Sequence, residues 1–245
     1  MKPVAFALCA GIVLVAVPAA DARATRPIAA TGPLGSERLS DERTVTRWAN
    51  PVRVGPIRAH PSVGSRRVGR LHALTEDGVP EVYLALRSHR TRRHGLWIRV
   101  RIPGRPNGRK GWVPRNALGH LHAVTTALRI AKVPSRATLR REGRIVWRSP
   151  IGHGAPGTAT PSGRFYIRER LDNRGGDPVY GPVAFGTSAY SALSDWPGGG
   201  VIGIHGTDQP WLIPGRPSHG CIRVPNPAIR RLARLMPIGT PVRIR

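Results

Sequence analysis

A mainly β fold in two domains is the architecture that the sequence predicts. Short apolar or alternating runs recur between Gly, Pro and Asn residues, the pattern of many short strands separated by turns. One stretch, 226–236, instead has the apolar period of a helix. About 220 residues remain after a predicted N-terminal signal segment, which is enough for two small domains.

The chain begins with the three parts of a secretory signal peptide. Lys2 supplies the positive start, the run from Val4 to Val17 is almost wholly apolar, and small residues at 18–22 offer a cleavage site. The apolar run has about fourteen residues, fewer than the roughly twenty that a membrane-spanning helix needs. We therefore expect an exported protein with residues 1–22 removed, and an uncleaved N-terminal anchor is the alternative.

The first domain is predicted over 47–120, after a linker at 23–46. The linker is rich in Pro, Gly, Thr and charge and lacks an apolar period. The domain has short runs at regular spacing, as in a small all-β barrel. It resembles bacterial SH3-like modules in AHPS at 59–62 and GWVP at 111–114. A wall-binding module and a packing spacer are equally compatible with that resemblance.

The second domain is predicted over 121–245, mostly β with the helix near its C-terminal end. Asn226 is expected to cap this helix and Pro227 to occupy its first turn. Four side chains fall on one face of it: Ile229, Leu232, Ala233 and Met236. That face is predicted to pack on the second sheet.

Cys221 is the most informative residue for predicting the function. Signal removal takes Cys9 away and leaves the exported chain one cysteine, which cannot form an internal disulfide. A buried inert thiol is the alternative, because Cys packs like a small hydrophobe. The polar, backbone-exposing neighbours in SHGC at 218–221 favour a nucleophile.

His205 follows an apolar run and is predicted to end a buried strand, from which a loop returns the chain to Cys221. A thiol of pKa about 8.5 is only a few per cent thiolate at neutral pH, so an imidazole that takes its proton activates it for acyl transfer. Gly220 permits a tight turn, with the amides of Gly220 and Cys221 directed at a tetrahedral oxyanion. His219 shares a face with Cys221 in an extended segment, so chemistry alone leaves both histidines as candidate bases.

The run from His205 to SHGCIR at 218–223 resembles the catalytic signature of the L,D-transpeptidase, or YkuD, family. The resemblance extends from about residue 125 through TPSG at 160–163 to TPV at 240–242. It implies a β-rich catalytic domain in which the Cys attacks the third residue of a peptidoglycan tetrapeptide stem and releases D-Ala. The acyl group then passes to a side-chain amine of a neighbouring stem, giving a 3→3 crosslink in the cell wall or periplasm. Carbapenem β-lactams are the inhibitors implied.

Carried onto this chain, the resemblance makes Cys221 the nucleophile, His205 the base, and the Gly220 and Cys221 amides the oxyanion donors. His219 becomes a supporting residue or carbonyl partner. Three more residues are predicted to contact substrate: Thr207, Ser218 and Arg223. For Arg223, a bidentate grip on a stem carboxylate and a structural role under the loop are equally supported.

The formal net charge of +26 comes almost wholly from Arg. It attracts polyanions, which for an exported protein are stem carboxylates and anionic wall polymers rather than nucleic acid. A GC-rich genome would also explain the Arg abundance. His120 and His122 have no third ligand nearby, so we predict neither a metal nor a cofactor.

Three alternative functions compete with that of a transpeptidase. A papain-like amidase places its Cys before its His, the reverse of the order of His205 and Cys221. A non-catalytic wall-binding protein would not need His205 together with SHGC at 218–221. An L,D-carboxypeptidase, with water as acceptor, has the same residues, so the sequence leaves it open.

Overall fold

The computed structural model describes residues 34–173, 175–193 and 197–245, and the predicted signal peptide lies outside them. Two β-sheets and one α-helix make up the regular structure of these ranges, apart from short 3-10 turns, so the mainly β prediction is confirmed. No helix within them is long and apolar enough to cross a membrane.

The first sheet is wholly antiparallel and follows the order β4-β3-β7-β6-β5-β2-β8, with β1 paired to β5 outside that path. Buried side chains from alternating positions fill its core. Its strands are β1 (Gly35–Arg38), β2 (Thr46–Ala49), β3 (Gly55–Arg58), β4 (Arg67–Leu71), β5 (Tyr83–Thr91), β6 (Gly95–Arg101), β7 (Lys110–Pro114) and β8 (His122–Val124). An SH3-like identity for this sheet stays a prediction.

The predicted linker over 23–46 is wrong for the part that the structure describes. Strand β1 pairs with β5, and Leu39 is 2% exposed in the first core. Asp41 accepts the amides of Arg43, Thr44 and Val45 in a tight turn that leads into β2. The composition misled because every residue of β1 is exposed, so this strand carries no apolar alternation.

The second sheet has the order β11-β10-β9-β18-β13-β14-β15-β17-β12-β16. Three of its pairs are parallel: β9 with β18, β15 with β17, and β12 with β16. Its strands are β9 (Thr126–Ala131), β10 (Arg136–Arg141), β11 (Arg144–Pro150), β12 (Gly152–Gly154), β13 (Gly163–Asp172), β14 (Val183–Tyr190), β15 (Val201–His205), β16 (Gly215–Ser218), β17 (Ile222–Arg223) and β18 (Pro241–Ile244).

Helix α1 (Asn226–Leu235) forms where its apolar period predicts it, and all four residues of the predicted face are buried in the second core. The Trp147 indole N–H donates to the carbonyl of Ala228, 3.1 Å away, and so fixes the helix to β11. The predicted cap is wrong. Pro225 occupies that position, and the Asn226 side chain instead accepts the amide of Thr207 at 2.9 Å. Asn226 therefore links the helix to the loop that follows His205.

Strand β13 is buried on both faces because it lies between the second core and the first sheet. Phe165 and Ile167 belong to the second core, whereas Tyr166 packs with Val82 and Leu84 of the first sheet. The Tyr166 hydroxyl donates to the carbonyl of Val82 at 2.8 Å. The two sheets thus share a packed interface, which continues toward the site described next.

Candidate active site

Two adjacent parallel strands bring Cys221 and His205 together. Ile204 of β15 pairs with Ile222 of β17, and this register puts Cys221 beside Gly203, which shares a face of β15 with His205. The Gly203 amide donates to Cys221 Sγ at 3.3 Å. A β-carbon placed on Gly203 would lie 3.6 Å from His205 Cδ2 and 3.7 Å from Cys221 Sγ. The thiol and the imidazole therefore border one small space, kept open by a glycine.

The hydrogen bond of His205 fixes its tautomer. Its Nδ1 lies 2.7 Å from the carbonyl oxygen of Gly206, and a carbonyl only accepts, so Nδ1 carries the proton. Nε2 of the neutral ring is then a free base. The ring is 4% exposed and packs edge-on against Tyr180 at 5.1 Å between centroids. Burial, helped by the charge of Arg223, lowers the pKa of His205 to about 4.

Burial has the opposite effect on the thiol. It raises the pKa of Cys221, against the smaller lowering effects of the Gly203 amide and the charge of Arg223. Near neutral pH the resting site is therefore a neutral thiol beside a neutral imidazole. A thiolate–imidazolium pair is therefore not the resting state of this site.

The turn before Cys221 is held from inside by Ser218. The Ser218 hydroxyl donates to the carbonyl of Cys221 at 2.6 Å and accepts the Gly220 amide at 3.2 Å. Thr160 donates to the Gly220 carbonyl at 2.7 Å. Gly220 has φ +125°, and a β-carbon there would lie 2.8 Å from Ile202 Cδ1, so this position requires glycine.

A cavity of about 310 Å³ opens over the thiol and the imidazole. Tyr180, Phe185 and Gly203 line it beside Cys221 and His205. Three carboxylates, Asp77, Glu169 and Asp172, also line it, and Asp77 comes from the first domain. An apolar cleft with a few converging polar groups is the usual form of a small-ligand site.

Comparisons with known proteins point to one family. The model of the L,D-transpeptidase catalytic domain, YkuD, matches residues 128–244. The chain is 37% identical over 107 residues to YkuD of Bacillus subtilis, covering 44% of this chain and 58% of that protein. It is 37% identical over 122 residues to YkuD of Bacillus licheniformis, covering 49% of this chain and 67% of that protein. The chain belongs to the YkuD L,D-transpeptidase family.

Solved structures of L,D-transpeptidases are also similar. The catalytic domain from Enterococcus faecium has 25% identity and a TM-score of 0.39, over 49% of this chain and 96% of that one. The same domain acylated by ertapenem has 24% identity and a TM-score of 0.39, and the match covers 52% of this chain and 100% of that one. The enzyme from Mycobacterium smegmatis has 14% identity and a TM-score of 0.40, over 85% and 87%. The family assignment rests on the sequence matches, not on these TM-scores.

Two residues predicted to contact substrate hold the segments next to His205 and Cys221 in place. Thr207 is buried, donates its amide to Asn226 and accepts the Gln209 amide at 3.0 Å through its hydroxyl. Ser218 is buried within the turn before Cys221. A substrate contact by either residue stays a prediction. The Gly220 amide, predicted as an oxyanion donor, already donates to Ser218 in this resting geometry.

The remaining predicted residues differ in exposure. His219 is exposed, unlike His205, so the imidazole that lines the cavity is His205. Arg223 donates to Gln209 at 2.9 Å, and its buried Nε has no acceptor in the part of the chain described. A grip on a substrate carboxylate stays a prediction for Arg223. No group of three metal-ligating side chains occurs among the described residues.

Sequence reasoning missed Gly203, Tyr180 and the three cavity carboxylates. The alternation of V-I-G-I-H at 201–205 carries a signal for Gly203, because it puts that position on the face of His205. Nothing local signals Asp77, which lies more than a hundred residues before Cys221 and reaches the cavity only through the packing of the two domains.

Proposed function

We propose that the protein is a peptidoglycan L,D-transpeptidase that forms 3→3 crosslinks through an acyl-enzyme on Cys221. The observation that carries the proposal is the pairing of the Cys221 thiol with a buried imidazole whose Nε2 is unprotonated, both next to Gly203 in one cavity. Membership of the YkuD family supplies the substrate class.

In the acylation step, Cys221 Sγ bonds to the carbonyl carbon of the third stem residue while its proton passes to His205 Nε2. The tetrahedral intermediate collapses as the carbon–nitrogen bond to D-Ala breaks. The same proton leaves on the D-Ala amine, so His205 returns to its neutral form. The Gly206 carbonyl accepts from Nδ1 throughout and stabilises the transient imidazolium.

An amine of a second stem then attacks the thioester and releases the thiol. Water in place of the amine would make the protein an L,D-carboxypeptidase, and the same acyl-enzyme serves both reactions. A non-catalytic wall-binding role is the third candidate. That role would not explain why Cys221 and His205 lie together in one cavity.

For localisation we propose the cell wall or periplasm, with anionic wall polymers as partners of an arginine surface on the second sheet. Arg164, Arg243 and Arg129 are direct cross-strand partners on β13, β18 and β9. Like charges on paired positions destabilise a sheet unless something offsets them. This arginine row lines a cavity of about 400 Å³ together with Arg43, Arg140 and Arg245. A polyanion laid across the strands would neutralise it.

Defined muropeptides test the proposal directly. With a tetrapeptide donor, mass spectrometry should show D-Ala release and a 3→3 dimer, and Cys221→Ser should give neither. His205→Ala should slow acylation by about 10²–10⁴-fold, the usual cost of a lost general base. His219→Ala should cost far less. D-Ala release without any dimer would assign the carboxypeptidase reaction instead.

A further inference from the structure

Part of the wall of the cavity that holds Cys221 and His205 is acidic in a strongly basic protein. Asp77, Glu169 and Asp172, here called the acidic wall, all line the cavity that holds Cys221. The whole chain has 39 basic and only 13 acidic residues. An even scatter of so few acids would not place three of them around one cavity, so the wall needs an explanation of its own.

Glu169 is the residue on which that explanation depends. A β-bulge between Ile167 and Glu169, in the pairing of β13 with β14, turns this side chain toward the first domain. Glu169 is 2% exposed, and its Oε2 accepts from the Thr75 hydroxyl at 2.6 Å. Its Oε1 is buried with no donor among the described residues. A buried carboxylate oxygen left unpaired is costly, which indicates a donor that arrives with a ligand.

The backbone makes room for this carboxylate. Gly186 pairs with Glu169 across the sheet, and a β-carbon on Gly186 would collide with Glu169 Oε1. Gly186 lines the same cavity. Any other residue at 186 would displace the carboxylate, so the position of Glu169 depends on this glycine.

The other two carboxylates add negative charge from both domains. Asp77 lies in the turn of the first domain in which the Thr75 amide donates to the Val79 carbonyl at 2.8 Å. Asp172 ends β13 and is partly balanced by Arg170 at 2.9 Å. Burial first, and then the charge of Asp77, raise the pKa of Glu169. A bound cation would relieve this repulsion.

The chemistry of the wall selects the kind of cation. No group of three ligating side chains in the described ranges could hold a metal ion, so the acidic wall does not offer the several side-chain ligands of a protein metal site. An ammonium group on a flexible side chain donates up to three hydrogen bonds and fits such a wall. The net charge of +26 repels cations from the rest of the protein surface. A positively charged amine is therefore expected to bind at the acidic wall.

We propose that the acidic wall binds the ammonium group of the acyl acceptor, with Glu169 and Asp77 as its principal partners, and so favours an amine over water at the acyl-enzyme. The inference rests on the proposed function of the same cavity. It also gives the first domain a part in the reaction, because Thr75 orients Glu169 and Asp77 contacts the acceptor.

The bound ammonium loses one proton to solvent to become an amine. Its nitrogen forms a bond to the thioester carbonyl carbon while the carbon–sulfur bond to Cys221 breaks. The second proton passes from nitrogen to the thiolate by way of His205, which leaves an amide and a neutral thiol.

A binding measurement tests the acidic wall apart from catalysis. The probes are Nα-acetyl-lysine methylamide and Nα-acetyl-norleucine methylamide, which lacks the ammonium group, titrated by NMR into the full chain carrying Cys221→Ala. We expect the lysine probe to bind at least about ten-fold tighter than the norleucine probe, as a charge-assisted hydrogen bond implies. Glu169→Gln and Asp77→Asn should each remove that preference. Asp208→Asn, an exposed acid in the loop after His205 that does not line the cavity, should keep it.

Equal binding of the two probes to the parent protein would overturn the proposal, whatever the reaction turns out to be. Asp77 is exposed at a turn, so Asp77→Asn keeps the test decisive if Glu169→Gln fails to fold. A preference that survives in Asp77→Asn and Glu169→Gln alike would also overturn it.

The partition of the acyl-enzyme provides the second test. After acylation by a tetrapeptide donor, the ratio of amide product to hydrolysed product is measured at fixed concentration of the lysine amide. The ratio should fall about ten-fold in Glu169→Gln and Asp77→Asn and stay unchanged in Asp208→Asn. An unchanged ratio in all three would refute the acceptor role. A parent protein that forms no acyl-enzyme would refute the proposed function instead, and the binding measurement would still decide the acidic wall.

Discussion

At the scale of single residues, the properties of the site depend on the burial of two side chains. The sequence shows which residues they are, but it does not show how deeply they are buried. The sequence identifies Cys221 and His205 through spacing and residue type. It does not reveal that burial lowers the pKa of His205 and raises that of Cys221, because both shifts arise from neighbours distant in the chain. The resting pair is therefore neutral, and in the proposed mechanism His205 acts as the base during attack.

The pH dependence of acylation follows from the His205 pKa of about 4. His205 must be neutral to take the thiol proton, so the acylation rate constant should stay within about two-fold from pH 7 down to pH 5.5 and fall only near pH 4. Loss of absorbance of a carbapenem in single-turnover mixing measures it. A decline centred near 6.5, the ordinary histidine value, would show that the ring is not held neutral.

The fold itself weakens over part of this range, which the pH experiment must control. Unfolding lets His205 take up a proton below about pH 6.5, whereas the folded protein resists protonation until about pH 4. The stability contributed by the neutral ring is thus lost as the pH falls between these values. Circular dichroism across the same series separates unfolding from loss of the base.

Gly203→Ala should block the reaction while preserving the fold. The added methyl would sit at ordinary contact distance from both His205 Cδ2 and Cys221 Sγ, in the space that the attacked carbonyl must enter. Acylation should slow by on the order of 10²-fold, as for a small misplacement of reacting groups. Gly157→Ala, at an exposed position with nothing within 4 Å, is the matched control and should react normally. Normal acylation of Gly203→Ala would show that substrate enters another way.

At the scale of elements, the helix was predictable and the turns were not. Helix α1 follows from its apolar period, because the period alone decides which face is buried. The partner of Asn226 is the loop after His205, brought near by the sheet, so a local capping rule assigned it wrongly. The hydrogen bonds by which Thr207 and Ser218 close their loops were not predictable for the same reason, and a substrate contact by either stays a prediction.

Gly220→Ala should destabilise the turn that leads into Cys221. Its φ of +125° disfavours any β-carbon, and that atom would also press on Ile202. We expect a loss of about 2–4 kcal/mol in the free energy of unfolding, from backbone strain and overpacking together. Gly143→Ala has a positive φ with open space around it and should cost only about 1–2 kcal/mol. Equal losses measured by denaturant unfolding would rule out the packing contribution.

At the scale of the whole molecule, the two domains are more interdependent than the sequence suggests. Arg168 would be predicted to be exposed, yet it is buried against Glu81 of the first domain, donating through Nε at 2.9 Å. Arg105 crosses in the same way, donating to the Ser191 carbonyl at 2.8 Å. Charged residues at such an interface produce no apolar pattern in the sequence. The contact between the two domains is therefore visible only in the folded structure.

Retention on wall fragments should depend on the arginine row of the second sheet more than on total charge. Replacing Arg129 and Arg243 by Gln should lower the salt concentration that elutes the protein, because fewer counterions are displaced from the polymer on binding. Arg92→Gln with Arg93→Gln removes the same charge from an exposed hairpin of the first sheet and should elute close to the parent. Identical elution of both double variants would mean that no specific surface binds the wall, and elution insensitive to salt would exclude electrostatic retention altogether.

Intact-protein mass spectrometry after exposure to a carbapenem tests the central claim most directly, because it reports whether Cys221 forms an acyl-enzyme. We predict one adduct per chain, located on Cys221 by peptide mapping, strongly slowed in His205→Ala and absent in Cys221→Ser. Circular dichroism of each variant confirms that the fold is retained. An adduct that persists in Cys221→Ser, or a folded parent protein that forms none, would contradict the assignment of Cys221 as the nucleophile.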